Sequence, residues 1–417
     1  MVGQTIAEKV FSEKVGQSAS AGDYVIAPID CAMLAEGFAA VWMHMQAAGW
    51  SRVWDRRKIV VVLDHYVPAN TERVARYHKM MRDAVKKLNL PFFYGEGAGI
   101  GHQVLMEKGH ARPGDLIVGA DSHTCTYGAL GAASTGIGFA EMAYVLAKGQ
   151  LWFRVPESVR LVLKGRLPDR TTSKDILLAI AGQYGTEVAQ YKSVEFIGDG
   201  ADALSVESRM TMSNMAVEIG AKFGIFCADD KTRAYLHGRG ERAVRRLEGD
   251  ENARYLMTYE MDVRHLEPQV ACPHSVGNVK PVGHVEGKPI HQAVLGSCTN
   301  GRLEDLRLAA EILRGRQVDP GVRLYVYPAS RETYLRSIEE NLLETLVEAG
   351  AIICNPCCGP CFGGHVGLMD AGEVCISSTN RNFRGRMGHP DADIYLASPA
   401  TVAASALKGA IADPRKV

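Results

Sequence analysis

With 417 residues, 47% of them hydrophobic and 43 of them glycine, the chain exceeds what one hydrophobic core serves and suits a compact α/β protein of two or three domains. Lysine plus arginine and aspartate plus glutamate both number 47, and a formal net charge of zero excludes the broad basic field of a nucleic-acid or anionic-membrane binder. Ten cysteines, no leading apolar segment and no apolar run of membrane-spanning length point to a cytoplasmic or similarly reducing compartment, not to a disulfide scaffold.

Met1 to Lys9 reads as the start of an amphipathic helix, Asp23 to Pro28 as a short strand, and Ala32 to Ala48 as a helix. Ile59-Val60-Val61-Val62-Leu63 predicts a buried strand ending in Asp64-His65, followed by a helix from about Thr71 to Leu88. A polar pair at the carboxyl end of an apolar strand is where α/β proteins build active sites, although a loop cap with a solvated imidazole has the same pattern. Phe92 to Tyr94 and Leu116 to Val118 predict two more strands. Their following turns deliver Gly101-His102-Gln103 and Gly119-Ala120-Asp121-Ser122-His123-Thr124, groups suited to acid/base pairing of a carboxylate with an imidazole.

Tyr127 to Gly138 is rich in glycine and alanine and leads into a helix from about Phe139 to Ala147. Gly136-Ile137-Gly138 is a poor dinucleotide loop: the third glycine is missing, no strand is predicted directly before it and no ribose-binding acid follows. After Pro156 a second domain is expected, with strands at Val159 to Leu163 and Ser193 to Phe196 and a helix at Ser173 to Gln183. Asn214 and Glu218 stand four apart on one helix, a spacing that also fits a hydrogen-bonded surface pair. Residues 228–254, including Arg239-Gly240-Glu241-Arg242, read as a solvated helix and connector, and Pro268 to Pro289, with four prolines, as a linker.

The third domain is expected to run strand (Gln292 to Leu295), helix (Leu303 to Leu313), strand (Val322 to Tyr327), helix (Arg331 to Ala349) and a short apolar run at Ala351-Ile352-Ile353. Two cysteine turns interrupt it, Gly296-Ser297-Cys298-Thr299-Asn300-Gly301 and Asn355-Pro356-Cys357-Cys358-Gly359-Pro360-Cys361-Phe362-Gly363-Gly364. The glycines and proline of the second forbid regular structure, so its thiols sit on a constrained turn. A lone Cys-x-x-Cys fits a redox dithiol, half a zinc site or part of an iron–sulfur site, and buried inert cysteines are a further reading. Cys298 adds a third thiol, and no second Cys-x-x-Cys or His-x-His completes a structural zinc tetrahedron. Three ligands and one open position make the natural count. Beyond them, Ser377 to Arg386 carries three arginines, whose forks bind carboxylates in bidentate fashion.

Taken together, GADSHTCTYGALG (119–131), GSCTNGRLEDL (296–306), NPCCGPCFGGH (355–365), NRNFRGRMGHP (380–390) and YLASPATVAASA (395–406) resemble the aconitase superfamily, most closely its 3-isopropylmalate dehydratase and homoaconitase large subunits, over nearly the full chain. The resemblance implies three α/β/α domains, placed at 1–157, 158–285 and 286–417, without the fourth, swivelling domain of single-chain members. It implies a [4Fe-4S] cluster held by Cys298, Cys358 and Cys361, with one iron free of protein ligands. It assigns proton handling to Asp64 with His65 and to His102 with Asp121, beside Ser122 and His123. It further assigns ordering of water and substrate near the iron to Asn214, Glu218, Asn300 and Asn380, and substrate carboxylate to Arg381 and Arg386. A separate small subunit is implied to supply the missing domain and its base.

The activity so implied is a hydro-lyase that isomerises a hydroxy-dicarboxylate such as 2-isopropylmalate through its alkene. A hydratase of another small diacid (homoaconitate, citramalate, dimethylmalate or maleate type) is the alternative, and an iron-sensing RNA binder is a third reading that the zero net charge opposes. Where the isopropylmalate enzymes show His-Asp-Gly-Thr, this chain has Ala35-Glu36-Gly37-Phe38, an expected loss of polar groups beside the cleft. Cys357 is a thiol with no assigned task.

Overall fold

Three mostly parallel sheets organise the chain, and their strand orders decide where the loops meet. The structure, a computed structural model, describes residues 3–240 and 242–417; Met1 and Val2 of the predicted first helix, and Glu241 of the charged stretch, lie outside the described residues.

The first strand, β1 (Tyr24–Pro28), belongs to a small ribbon closed later in the chain. The first large sheet holds β2 (Cys31–Leu34), β3 (Ile59–Val62), β4 (Phe92–Tyr94), β5 (Leu116–Gly119) and β6 (Ala133–Gly136), in the order β4-β3-β2-β5-β6 and parallel throughout. Next, β7 (Gln150–Arg154) pairs antiparallel with β1. The second sheet holds β8 (Ser158–Lys164), β9 (Ser193–Ile197), β10 (Phe223–Phe226) and β11 (Met257–Asp262), parallel in the order β10-β9-β8-β11. The third holds β12 (Gln269–Ala271), β13 (Val279–Pro281), β14 (Gln292–Gly296), β15 (Arg323–Tyr327), β16 (Ile352–Ile353), β17 (Val374–Ser377) and β18 (Asp393–Ala397). Its order is β13-β12-β18-β17-β14-β15-β16, antiparallel only at β12 and β13.

Strands buried on both faces read as unbroken apolar runs, as β3 does with all four residues buried. The same rule explains a correction. Ala32 to Ala48 was expected to be one helix, but Cys31–Leu34 is a fully buried strand, and the helix runs only over Phe38–Ala47. Other expectations shift as well. The first helix is Ile6–Val15, capped by Thr5. A strand, β6, does stand directly before Gly136-Ile137-Gly138. The supposed linker contains β12 and β13, with Pro281 on the outermost strand, where a missing N–H costs no ladder bond. The helix expected over Arg331 to Ala349 is two, Arg331–Glu339 and Leu342–Glu348, broken where Asn341 takes a left-handed φ of 56°.

In the first sheet the strand order reverses direction between β2 and β5, and in the third between β14 and β17. Open α/β sheets bind ligands in the crevice outside such a reversal, at the carboxyl ends of the strands. The residues that follow are Ala35-Glu36 after β2, Asp64-His65 near the end of β3, Ala120 to His123 after β5, Ser297-Cys298 after β14 and Ser378 to Arg381 after β17. One large apolar core runs from the first two sheets onto one face of the third, a second covers the other face of the third, and a smaller one covers the other face of the first. Between them lies a small cluster of Ile100, Cys298 and Cys358 with Phe362 packed against it. No helix among the described residues is long and apolar enough to cross a membrane.

Candidate active site

The cysteine turns are set by local geometry. Gly359 takes φ 57°, and a Cβ there would lie 2.7 Å from the ring of buried Tyr327, so only glycine fits between Cys358 and Pro360. The Cys358 N–H donates to the Asp64 carbonyl at 3.0 Å, tying the turn to the end of β3. Asn380 Nδ2 lies 3.4 Å from Cys298 Sγ, and its Oδ1 accepts from Cys361 Sγ at 3.3 Å. Asn214 Nδ2 donates to Cys298 Sγ at 3.2 Å, and Asn214 Oδ1 accepts from Asn380 at 3.2 Å. One asparagine thus touches Cys298 and Cys361, and one apolar cluster holds Cys298 and Cys358.

One feature suits this set to a polynuclear cluster, and it is spacing; burial first, then the neighbouring Cys361 and Asp121 charges, push the Cys298 thiol up to about 12, as burial does for Cys357. The three cysteines form no group with all sulfurs within 4.8 Å of one another; among the described residues only Asp64, His65 and Cys358 offer such a group. A single zinc ion, with bonds of about 2.3 Å, places tetrahedral sulfurs roughly 3.8 Å apart. A wider spread fits an iron–sulfur cluster. Cys357 turns the other way, into the large apolar core, where burial pushes its thiol up to about 12.

Two imidazole–carboxylate systems stand over the cysteines. Asp64 Oδ1 is 2.6 Å from His65 Nδ1, and its Oδ2 accepts the Gly101 N–H at 2.7 Å. Burial keeps the Asp64 carboxyl above its ordinary value despite those bonds. His102 Nε2 lies 2.8 Å from Asp121 Oδ1, with its Nδ1 3.2 Å from the Tyr127 hydroxyl. Burial would raise Asp121, but the His102 hydrogen bond and the His102, His123 and His65 charges outweigh it and hold the carboxyl well below the usual range. His65 Nε2 is 3.7 Å from Asp121 Oδ2, so both systems share one line.

A third group borders them. His123 Nε2 meets Glu218 Oε1 at 2.8 Å, and the same oxygen accepts from Arg381 Nε at 2.8 Å. Arg381 Nη1 donates to Ser122 Oγ at 3.0 Å. Burial holds His123 below the usual imidazole value; it would raise Glu218, which the His123 bond and Arg381 charge instead hold low. Asn214 and Glu218 are both buried and face different partners, so the surface-pair reading does not hold.

Two predicted residues lie apart from these contacts. Asn300 donates to Thr211 Oγ1 at 3.2 Å and to Asp305 Oδ1 at 2.9 Å, bracing the turn behind Cys298. Arg386 has a buried Nε without a hydrogen-bond partner, and its backbone carbonyl would lie 2.9 Å from a Cβ on Gly363.

Sequence reasoning missed three residues. Fully buried Arg302 donates to the Cys298 carbonyl at 2.6 Å and to Gln103 at 3.1 Å. Fully buried Lys174 donates to the carbonyls of Ser378, at 2.6 Å, and Thr379, which precede Asn380. The expected loss of polar groups at 35–38 is corrected at Glu36, whose carboxylate accepts the N–H of His65 at 3.0 Å and of Tyr66 at 3.0 Å. Ala35 and Phe38 are buried and apolar as expected. No sequence signal marked Glu36, because the strand it follows was itself expected to be part of a helix.

Residues 39–409 match the Aconitase family (aconitate hydratase). The chain is 51% identical over 415 residues to "3-isopropylmalate dehydratase large subunit 1" of Methanopyrus kandleri, covering 99% of each. It is 47% identical over 422 residues to "Probable methanogen homoaconitase large subunit" of Methanothermobacter thermautotrophicus, covering 100% of this chain and 99% of that one. It is 45% identical over 418 residues to "3-isopropylmalate dehydratase large subunit" of a Hydrogenobaculum species, at 100% and 99% coverage.

Proposed function

The chain belongs to the aconitase family and is a hydro-lyase, and from that premise we propose that it is the iron–sulfur large subunit of an enzyme that isomerises a hydroxy-dicarboxylate, such as 2-isopropylmalate, by dehydration and rehydration. The observation that carries this reading is that Asn380 touches both Cys298 and Cys361 while the Cys358 N–H is held by the carbonyl of Asp64, the partner of His65. In it, the three cysteines hold a [4Fe-4S] cluster. When bound, such a cluster supplies a Lewis-acidic iron for the substrate hydroxyl and carboxylate.

The chain's own residues do the rest. Arg381 binds a substrate carboxylate with the guanidinium edge left free by Glu218 and Ser122. His65, its Nδ1 proton held by Asp64, presents Nε2 to the departing hydroxyl and passes it a proton. His102 keeps Asp121 ionised, with Ser122 and His123 alongside, and Asn214, Asn380 and Glu218 order the water that leaves and returns, while Asn300 braces the turn that carries Cys298. The carbon-bound proton next to a carboxylate is removed by a base from a separate small subunit, a partner suggested by the words "large subunit" in the names of the relatives. Free thiols and an iron–sulfur cluster suit a reducing cytoplasm.

A second reading, homoaconitate as substrate, rests on the relative named as a homoaconitase large subunit, nearly as similar as those named dehydratase. The test is anaerobic reconstitution with the cognate small subunit and assay of 2-isopropylmalate, homocitrate, citramalate and dimethylmalate. Turnover of 2-isopropylmalate above the others is expected; preference for homocitrate selects the second reading, and a fully loaded complex inactive on all four overturns both.

A further inference from the structure

Glu36 lies two residues past the end of β2 and beside the end of β3, because those strands are parallel neighbours pairing Leu34 with Val61. Its carboxylate accepts the backbone N–H groups of three successive residues: Asp64 at 3.4 Å, His65 at 3.0 and 3.1 Å, and Tyr66 at 3.0 Å. Its Oε2 also lies 3.5 Å from His65 Nδ1, the ring nitrogen already shared with Asp64 at 2.6 Å. Two carboxylates therefore flank Nδ1, while Nε2 faces Asp121 across 3.7 Å. Behind Glu36, His78 on the helix Glu72–Leu88 lies 3.5 Å from Oε1.

We propose that Glu36 is a positioning residue for the reaction: it clamps the turn that carries Asp64 and His65, and it fixes the His65 ring with its proton on Nδ1 and Nε2 turned to the substrate. This rests on the reading of His65 as the group that gives a proton to the leaving hydroxyl. Asp64 alone could hold the ring by one bond. Asp64 itself, however, sits on the turn that Glu36 anchors, so removing Glu36 loosens the ring and its orienting partner together. Carboxylates behind metal-bound imidazoles typically cost about 10- to 100-fold in metal affinity or activity when lost, and a clamp on a proton-donating imidazole is expected to act on the same scale. Glu36 touches none of the three cysteines directly, but the Cys358 N–H is bonded to the Asp64 carbonyl on the turn it anchors, so iron per chain is read beside the rate to separate the two effects.

The test compares Glu36→Ala and Glu36→Gln with the wild type in the reconstituted two-subunit enzyme. Four quantities are read: kcat, KM, iron per chain, and the His65 ring orientation in a crystal structure of each variant. Glu36→Ala is expected to lower kcat about 10- to 100-fold, with KM changed by less than about twofold and iron content unchanged. Glu36→Gln keeps an oxygen for the backbone N–H groups and is expected to fall between the two. A kcat within about twofold of wild type in Glu36→Ala overturns the proposal, as does a rise in KM at constant kcat, which marks a substrate contact instead. Equal iron loss in both variants shows a purely structural role and also overturns it. If the wild type turns over none of the diacids, the proposed activity has failed and the ring orientation decides for Glu36 alone: a displaced His65 in Glu36→Ala supports the clamp, and an unmoved one overturns it.

Discussion

Gly359 and Arg381 show how single residues shape the site. A methyl group at 359 would strike the Tyr327 ring at 2.7 Å in a left-handed turn, and neither the ring nor the turn can shift without moving Cys358 or Cys361. Gly359→Ala is expected to cost on the order of 1–3 kcal/mol and to lower both the midpoint of thermal unfolding and the iron retained after reconstitution. At Arg381, the planar fork reaches Glu218 and Ser122 at once, which an ammonium cannot reproduce. Arg381→Lys is expected to raise KM about tenfold or more, measured by steady-state kinetics on the preferred diacid; an unchanged KM removes Arg381 from substrate binding. Among residues, those legible in the sequence stand in short local patterns: a polar pair closing an apolar run, or cysteines among glycines. Glu36, Lys174 and Arg302 were not legible, because each acts on backbone that is distant in sequence or looks ordinary beside its neighbours. Lys174 reaches carbonyls 204 and 205 positions away.

At the scale of elements, the helix Ser173–Tyr184 links two sheets. Asp175 completes the capping box with Thr172 and accepts the Gln269 N–H of β12 at 2.8 Å. Burial pushes its carboxyl up to about 6 against those bonds, from an ordinary 3.8. A carboxyl raised on folding favours the protonated fold. Its contribution is fully present below pH 3.8 and is lost as pH rises through about 6. Asp175→Asn removes that loss, so the stability of the variant relative to wild type is expected to be greater by about 3 kcal/mol at pH 7 than at pH 4, measured by urea unfolding of the cluster-free chain. A relative stability independent of pH contradicts the assignment. Most elements were legible, since strands such as Ile59–Val62 announce themselves as short apolar runs. Cys31–Leu34 failed because a strand buried on both faces lacks alternation and, ahead of an apolar helix, merges with it. The strands β12 and β13 failed because three residues beside prolines carry too little pattern; only their pairing with β18 and with each other makes them strands.

For the whole molecule, the same reversal of strand order in the first and third sheets turns two crevices toward each other, and the second sheet contributes Asn214 and Glu218 at the junction. The sequence placed both cysteine turns in the third domain, and the fold shows that they follow strands of one sheet, but the meeting of sheets that brings Asp64 to Cys358 needed the tertiary structure. We propose the division 1–157, 158–285 and 286–417 for the three units, with β12 and β13 crossing the second boundary to pair in the third sheet. The isolated chain is expected to take up a cluster yet turn over substrate at a small fraction of the rate reached when the small subunit is added; full activity alone contradicts the need for a partner. The central claim is that Cys298, Cys358 and Cys361 hold the cluster, and Cys357 does not. Anaerobic reconstitution of the four single alanine variants, read by iron and sulfide per chain and by the visible thiolate-to-iron absorption, tests it most directly. The cluster is expected to be lost or incomplete in Cys298→Ala, Cys358→Ala and Cys361→Ala and intact in Cys357→Ala. An intact cluster in any of the first three, or its loss in the fourth, contradicts it.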